Sequence, residues 1–218
     1  MNLKIIMKSN KLIFFAIVLI ALMLSSCNGE VSREVSIGKQ VWMNKNLNVD
    51  KFRNGDPIPE AKTPEAWEEA KKNHHPVWCY YGNNSENGNE YGKLYNYYAV
   101  SDPRGLAPAG YHIPTSAEWT YLYAYCGNGV KAVEKLKTEM PSYNKLNGKN
   151  SNGFFALPCG QRHEDGYFNY VGEIGLWWSS TIQDTNIAKG FLIFFPEGGA
   201  TIFNSYMGDG LSVRCIKD

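Results

Sequence analysis

The sequence is poor in the features that mark several large classes of protein. Apart from one stretch near the N-terminus it has no long apolar run, so it offers no second membrane segment. Its 22 basic and 21 acidic residues, with no basic block, argue against nucleic acid as a partner. It has no C-x-x-C pair and its four histidines are scattered, so a zinc site is not expected. We therefore predict no metal and no cofactor.

The one long apolar stretch lies in a segment with the pattern of a secretion signal. Lys4, Lys8 and Lys11 lie before or next to the apolar run Leu12–Leu24, without an acidic residue. A helix of that length covers roughly 20 Å, whereas a helix that crosses a bilayer must cover roughly 30 Å. We interpret residues 1–26 as a signal peptide.

The segment ends in Leu24-Ser25-Ser26-Cys27, which resembles the lipobox of bacterial lipoproteins. The resemblance implies that the Cys27 thiol receives a diacylglycerol and that its amine is acylated too, with a fatty acid such as palmitate. Two or more chains anchor a protein stably. Residues 27–34 then form a lipid-anchored tether, and the expected location is the outer membrane, facing the exterior. The alternative is an ordinary signal peptide with a cysteine near its cleavage site.

Removal of 26 residues from 218 leaves 192, enough for one domain with a substantial core. The loss of three lysines moves the formal charge from +1 to −2. An even number of cysteines in an exported chain permits two disulfides with three possible connectivities. The four candidates are Cys79, Cys126, Cys159 and Cys215.

Helix signals lie in the first two thirds of the chain and strand signals dominate the last third. Thr63-Pro64-Glu65 starts a helix over Glu65–Asn73, and Asn83–Asn89 is a polar loop in which a calcium site is not expected. Thr115 and Glu118 form a capping box, followed by an apolar stripe and by a second short helix over Lys131–Lys137. The stripe consists of Trp119, Leu122, Tyr123 and Cys126. Strands are predicted within 35–47 and over 154–157, 177–181, 188–195, 200–206 and 211–216.

This order of elements, without a βαβ rhythm, predicts an α+β fold with an antiparallel sheet. Several segments also resemble the Fibrobacter succinogenes major paralogous domain, which is common in bacterial lipoproteins. The resemblance covers roughly residues 35–218, and its blocks include residues 40–47, 78–81, 91–100, 107–119, 152–158, 177–181 and 211–215. The family is in turn distantly similar to the formylglycine-generating, sulfatase-modifying group, which implies a C-type-lectin-like fold with two or three short helices.

The resemblance also bears on the cysteines. Lectin-like domains use a pairing that matches Cys126 with Cys215, whereas the positions of Cys79 and Cys215 within family-like blocks favour Cys79–Cys215 with Cys126–Cys159. We slightly prefer the second arrangement. The copper site of the sulfatase-modifying group needs two closely spaced cysteines, but Cys159 and Cys215 lie 56 residues apart (215 − 159), so we do not predict an enzyme.

The preferred hypothesis is a non-catalytic module that binds a glycan or a protein. The sequence has 14 tyrosines and six tryptophans, residues that serve both cores and sugar-stacking surfaces. The candidate contacts are Trp177, Trp178, Arg162, Glu164, Asp165 and Tyr167. On a strand one of two adjacent tryptophans faces away from the core, although loops or core covering both is an open alternative.

A third hypothesis is that the protein is a structural or adhesin-type component of the cell envelope. An exposed sheet edge would favour assembly, and an aromatic-lined groove would favour ligand binding.

Overall fold

The computed structural model describes residues 34–138, 149–195 and 198–218. The predicted signal peptide, Cys27 and the tether up to residue 33 lie outside these residues. Among the described helices, none combines the length and the apolar character that a bilayer crossing requires.

Short helices and many strands alternate along the chain. The helices are α1 Pro64–Lys72, α2 Asn87–Tyr91, α3 Tyr97–Val100, α4 Ser116–Tyr125 and α5 Gly129–Leu136, with a 3-10 turn at Tyr81–Asn83. The strands are β1 Glu34–Ile37, β2 Gln40–Met43, β3 Trp78–Cys79, β4 Leu94–Tyr95, β5 Tyr111–His112, β6 Cys159–Arg162, β7 Phe168–Val171, β8 Ile174–Ile182, β9 Ile187–Phe194, β10 Ala200–Tyr206, β11 Leu211–Ser212 and β12 Ile216–Lys217.

The strands form two sheets. One has the order β1-β2-β12-β5, and the other has the order β10-β9-β8-β11-β4-β3, with β6 paired to β8 and to β7. Most pairs are antiparallel, but β8 runs parallel to both β6 and β11. The predicted α+β class is confirmed.

The capping signals gave correct helix starts. The Thr63 hydroxyl accepts a hydrogen bond from the Ala66 N–H, and Pro64 opens α1. At α4 the Thr115 hydroxyl accepts from the Glu118 N–H at 3.2 Å, while a Glu118 carboxylate oxygen accepts from the Thr115 N–H at 2.7 Å. This is the predicted capping box.

Two element predictions were wrong. Residues 154–157 contain no strand, because Phe155 has a left-handed backbone (φ 54°) that interrupts an extended chain. The polar loop predicted at Asn83–Asn89 instead contains the start of α2.

The last predicted strand, 211–216, divides into β11 and β12, which belong to different sheets. Between them the Val213 and Cys215 carbonyls accept hydrogen bonds from the Leu47 and Met43 N–H groups. The side chain of Arg214 is fully buried at this crossing, with carbonyl partners as the chain passes from one sheet to the other.

The core has three clusters of buried side chains. The first surrounds Tyr95 and Trp178, the second surrounds Trp119 and Trp177, and the third surrounds Trp67. Trp177 and Trp178 point to opposite faces of β8, and each fills a different cluster. Because both faces of β8 are covered, neither indole is exposed.

The four cysteines form no disulfide; each is a free, buried thiol. The two disulfides expected from the sequence are therefore absent from the fold. Cys215, Cys126 and Cys79 lie in the first, second and third core clusters respectively. Cys159 instead lies beside the side-chain amide of Asn46. Burial raises the pKa of the Cys79 and Cys215 thiols to about 12, which keeps them protonated and unreactive.

A histidine bridges the capped helix and the C-terminus. His112 Nε2 lies 2.9 Å from a Glu118 oxygen and Nδ1 lies 2.8 Å from an Asp218 oxygen. Partial burial lowers the pKa of His112, but the hydrogen bonds to the two carboxylates outweigh it, so the pKa lies above its ordinary value of 6.5.

We expect this bridge to stabilise the fold at mildly acidic pH. A raised histidine pKa contributes stability that is present below pH 6.5 and is lost as the pH rises through the raised value. Because these side chains are partly exposed, the effect should stay within about 1 kcal/mol. The free energy of unfolding, measured with urea, should fall between pH 5.5 and pH 8.5 by more for the wild type than for His112→Gln. If the free energy of unfolding changed with pH in the same way for both proteins, the result would contradict a stabilising bridge.

Candidate functional site

The hairpin between β6 and β7 was predicted to be a ligand-contacting loop, and it begins with a buried arginine. The Arg162 guanidinium donates hydrogen bonds to the carbonyls of Ala61 (2.6 Å), Thr63 (2.9 Å) and Gly166 (3.1 Å). It also lies 4.5 Å from the centre of the Trp67 ring. Arg162 is thus a positioning residue that fixes the hairpin to the start of α1, and it has no exposed surface for the ligand contact that the sequence predicted.

The tip of the hairpin is polar and exposed. Lys71 on α1 lies 3.1 Å from a Glu164 carboxylate oxygen, and His163 lies 3.0 Å from Asp165. Tyr167 is 72% exposed and follows the tip. The predicted Glu164, Asp165 and Tyr167 are therefore accessible.

The hairpin also contacts the turn between β10 and β11. A buried Asp209 carboxylate accepts from the Glu164 N–H at 2.9 Å and from the Tyr206 N–H at 3.1 Å. Burial raises the pKa of Asp209, although the hydrogen bond from the Ser205 hydroxyl opposes that effect. On the other side, the Trp67 indole donates to the Gly208 carbonyl at 2.8 Å. These contacts fix the turn beside the end of α1.

A cleft of about 360 Å³ lies between the end of α1, the hairpin and this turn. We call it the aromatic cleft. Its lining comes from five separate segments: Lys71, Lys72, His74, Tyr98, Glu164, Asn186, Tyr206, Met207 and Gly208. The His74 and Tyr98 rings stack with centres 4.8 Å apart, and Tyr206 is 51% exposed. The cleft thus combines ring faces with charged and amide groups.

The end of α1 explains the position of the histidine ring. The helix ends at Lys72, and the His75 N–H returns to the Ala70 carbonyl at 2.8 Å. His74 takes a left-handed backbone (φ 54°), which ends the helix and directs its ring onto Tyr98.

A second cleft, of about 610 Å³, adjoins the first and shares Lys71 and Lys72 with it. Its other lining residues are Glu65, Glu68, Glu69, Asn73 and Asp165. These are side chains of one helix face and one loop tip, without an aromatic ring. We therefore regard the smaller aromatic cleft as the better candidate site.

The structure brings together only part of the predicted site. Glu164 and Asp165 line the two clefts, while Trp177 and Trp178 are core residues that a surface ligand cannot reach, so the alternative that both are covered is confirmed. Sequence reasoning missed His74, Tyr98, Asn186 and Tyr206, four residues that only the fold brings together. The large number of tyrosines was the only signal for them.

Within 34–138, 149–195 and 198–218, no group of three or more His, Cys, Asp or Glu residues is arranged to hold a metal ion. A family model described as the Fibrobacter succinogenes major domain matches residues 35–217. No curated protein and no solved structure matches the chain.

Proposed function

The chain belongs to the Fibrobacter succinogenes major domain family, and from that premise we propose that it is a cell-surface lipoprotein whose domain binds a glycan in the aromatic cleft without catalysis. The stacked His74 and Tyr98 rings beside Tyr206 carry this proposal. Ring faces are apolar surfaces on which the C–H face of a sugar can stack. A volume of about 360 Å³ falls within the range of small-ligand sites and suits one or two sugar residues.

The polar lining supports the same ligand class. Asn186 offers an amide with both donors and acceptors, Glu164 offers acceptors and Lys72 offers donors. Hydroxyl groups of a sugar both donate and accept, so a mixed set of this kind suits them better than a lining of one charge. Lys71 and Glu164 already pair with each other, which leaves little net charge at this side of the cleft.

The proposal includes the anchor on Cys27 and exposure on the outer membrane. In cells, we expect the wild-type chain to fractionate with the outer membrane and to carry acyl chains at Cys27. Cys27→Ser should carry no acyl chains and should leave the outer-membrane fraction, since the lipid is the only attachment proposed there. A Cys27→Ser chain that stays in the outer-membrane fraction would contradict lipid anchoring.

Binding is tested with the full-length protein in mild detergent on a glycan array, with calcium and with chelator. We expect saturable binding under both conditions, because the sequence lacks the Glu-Pro-Asn, Gln-Pro-Asp and Trp-Asn-Asp motifs of calcium-dependent lectins. Tyr206→Ala should weaken the affinity about tenfold or more, which corresponds to about 1.4 kcal/mol of binding free energy.

Tyr125→Ala is the matched control, since Tyr125 is 59% exposed on α4 and does not line the cleft. The proposal fails if no glycan binds, or if Tyr206→Ala and Tyr125→Ala bind equally well. Capture of a protein partner that Tyr206→Ala releases would reassign the cleft to protein recognition.

A further inference from the structure

One edge of the larger sheet is formed by β10. It pairs with β9 in one unbroken antiparallel register, from Ala200 opposite Ile193 to Tyr206 opposite Ile187. The Phe194 N–H donates to the Gly199 carbonyl at 2.8 Å, which sets the phase of the ladder. Because hydrogen-bonded and non-bonded pairs alternate, the backbone groups of Ala200, Ile202 and Asn204 point away from β9.

These outward groups form an open row. Within the described ranges, the N–H groups of Ala200, Ile202 and Asn204 have no backbone partner. Among the residues that the structure describes, the Ile202 carbonyl accepts only from the neighbouring Thr201 hydroxyl, at 3.2 Å. A row of unpaired backbone groups is a template for another strand.

The strand also lacks the features that usually protect an edge. Its sequence, ATIFNSY, contains no charged residue and no proline, and its register with β9 has no bulge. The other described edges are shorter or interrupted. β7 has four residues, and Tyr170 within it has a left-handed backbone (φ 65°). β3 and β5 have two residues each, and β1 begins at Glu34, which pairs with Lys217 at 2.8 Å.

We propose that β10 pairs antiparallel with β10 of a second copy of this chain, so that the sheet continues across a two-fold axis near Phe203. In this register Ile202 lies opposite Asn204 of the second copy, and the outward backbone groups of these two residues satisfy one another. An uncharged strand meets its own copy without charge repulsion, whereas a partner strand rich in charge would gain nothing here. This inference does not depend on the proposed glycan site.

The test is the molar mass of the full-length protein in mild detergent, measured by light scattering after size-exclusion chromatography. We expect a dimer for the wild type. Asn204→Lys and Asn204→Asp should each halve the protein mass, because like charges then meet across the axis. The two residues at 204 are diagonal neighbours, within reach of long side chains, so an equimolar mixture of the variants should restore the dimer. That restoration separates pairing from misfolding.

Asn89→Lys is the control, since it makes the same change at an exposed residue on α2, away from the sheet, and it should stay dimeric. A monomeric wild type would overturn the proposal. So would a dimer that persists in both Asn204 variants, or a mixture that stays monomeric while each variant retains the wild-type melting temperature. If Asn204→Lys does not fold, Asn204→Asp alone still decides between dimer and monomer.

Discussion

Arg214→Met is expected to lower the free energy of unfolding by about 3 kcal/mol, because each buried acceptor that loses its donor costs about 1–3 kcal/mol. The guanidinium is fully buried and donates to the Asn46 side-chain oxygen at 2.7 Å and 3.0 Å. It also donates to the carbonyls of Phe154 (2.6 Å), Met43 (3.3 Å) and Phe155 (3.4 Å). Methionine fills much of the volume but donates no hydrogen bond to the three carbonyls, and the Asn46 oxygen then accepts from the Trp177 indole N–H, at 2.8 Å.

The same network fixes the strained backbone beside it. Phe155, with its left-handed φ of 54°, is held by Arg214 at its carbonyl and by the Asn150 side chain at its N–H. Burial lowers the pKa of Arg214 to about 10, so the cation is retained at neutral pH at the cost of its hydration. Arg214→Lys should also lower the free energy of unfolding, because an ammonium group cannot reproduce the planar fork of guanidinium donors.

Urea unfolding of Arg214→Met against Arg104→Met measures this effect. Arg104 is a surface arginine that pairs with Asp102 and Asp56, and its loss should change stability much less. Equal losses of unfolding free energy in the two variants would show that Arg214 does not join the two sheets.

Trp178→Ala is expected to destabilise the fold by a similar amount, about 3–5 kcal/mol, through loss of buried surface and the cavity left behind. Trp178 has no exposed surface, packs edge-on to Tyr97 with ring centres 5.1 Å apart, and donates from its indole N–H to the Tyr95 carbonyl at 2.7 Å. Thermal unfolding should show a large fall in melting temperature for Trp178→Ala.

Tyr125→Ala, in contrast, should stay within about 0.5 kcal/mol of the wild type, since it truncates an exposed side chain. A small effect for Trp178→Ala would mean that the first core cluster can collapse around the missing ring. The difference matters for binding assays, because glycan binding lost in a Trp177 or Trp178 variant would report unfolding and not a contact with sugar.

The elements with local signals were predictable from sequence. The hydroxyl caps at Thr63 and Thr115 predicted the starts of α1 and α4, and a β-rich run between turn residues gave β10 its correct bounds. A β-rich run could not show that β8 is covered on both faces, since that depends on which elements pack above and below it. For the same reason, adjacent tryptophans gave no indication that both are buried.

The site was less predictable because it depends on distant segments. Tyr98 and Tyr206 are 108 residues apart in sequence (206 − 98) and line one cleft only because the turn after β10 lies beside the end of α1. The hairpin tip at Glu164 and Asp165 was found because turn residues mark loops. The role of Arg162 could not be found, since a buried arginine and an exposed one have the same sequence signal.

The aromatic cleft is the proposed binding site. Its most direct test is hydrogen exchange of the full-length protein in detergent, with and without the oligosaccharide that binds best on the array. We expect slower exchange in residues 71–74, 163–167 and 205–208, and no change over Tyr121–Tyr125 on α4. Saturable binding with protection confined to another surface, or with none in these three segments, would contradict it.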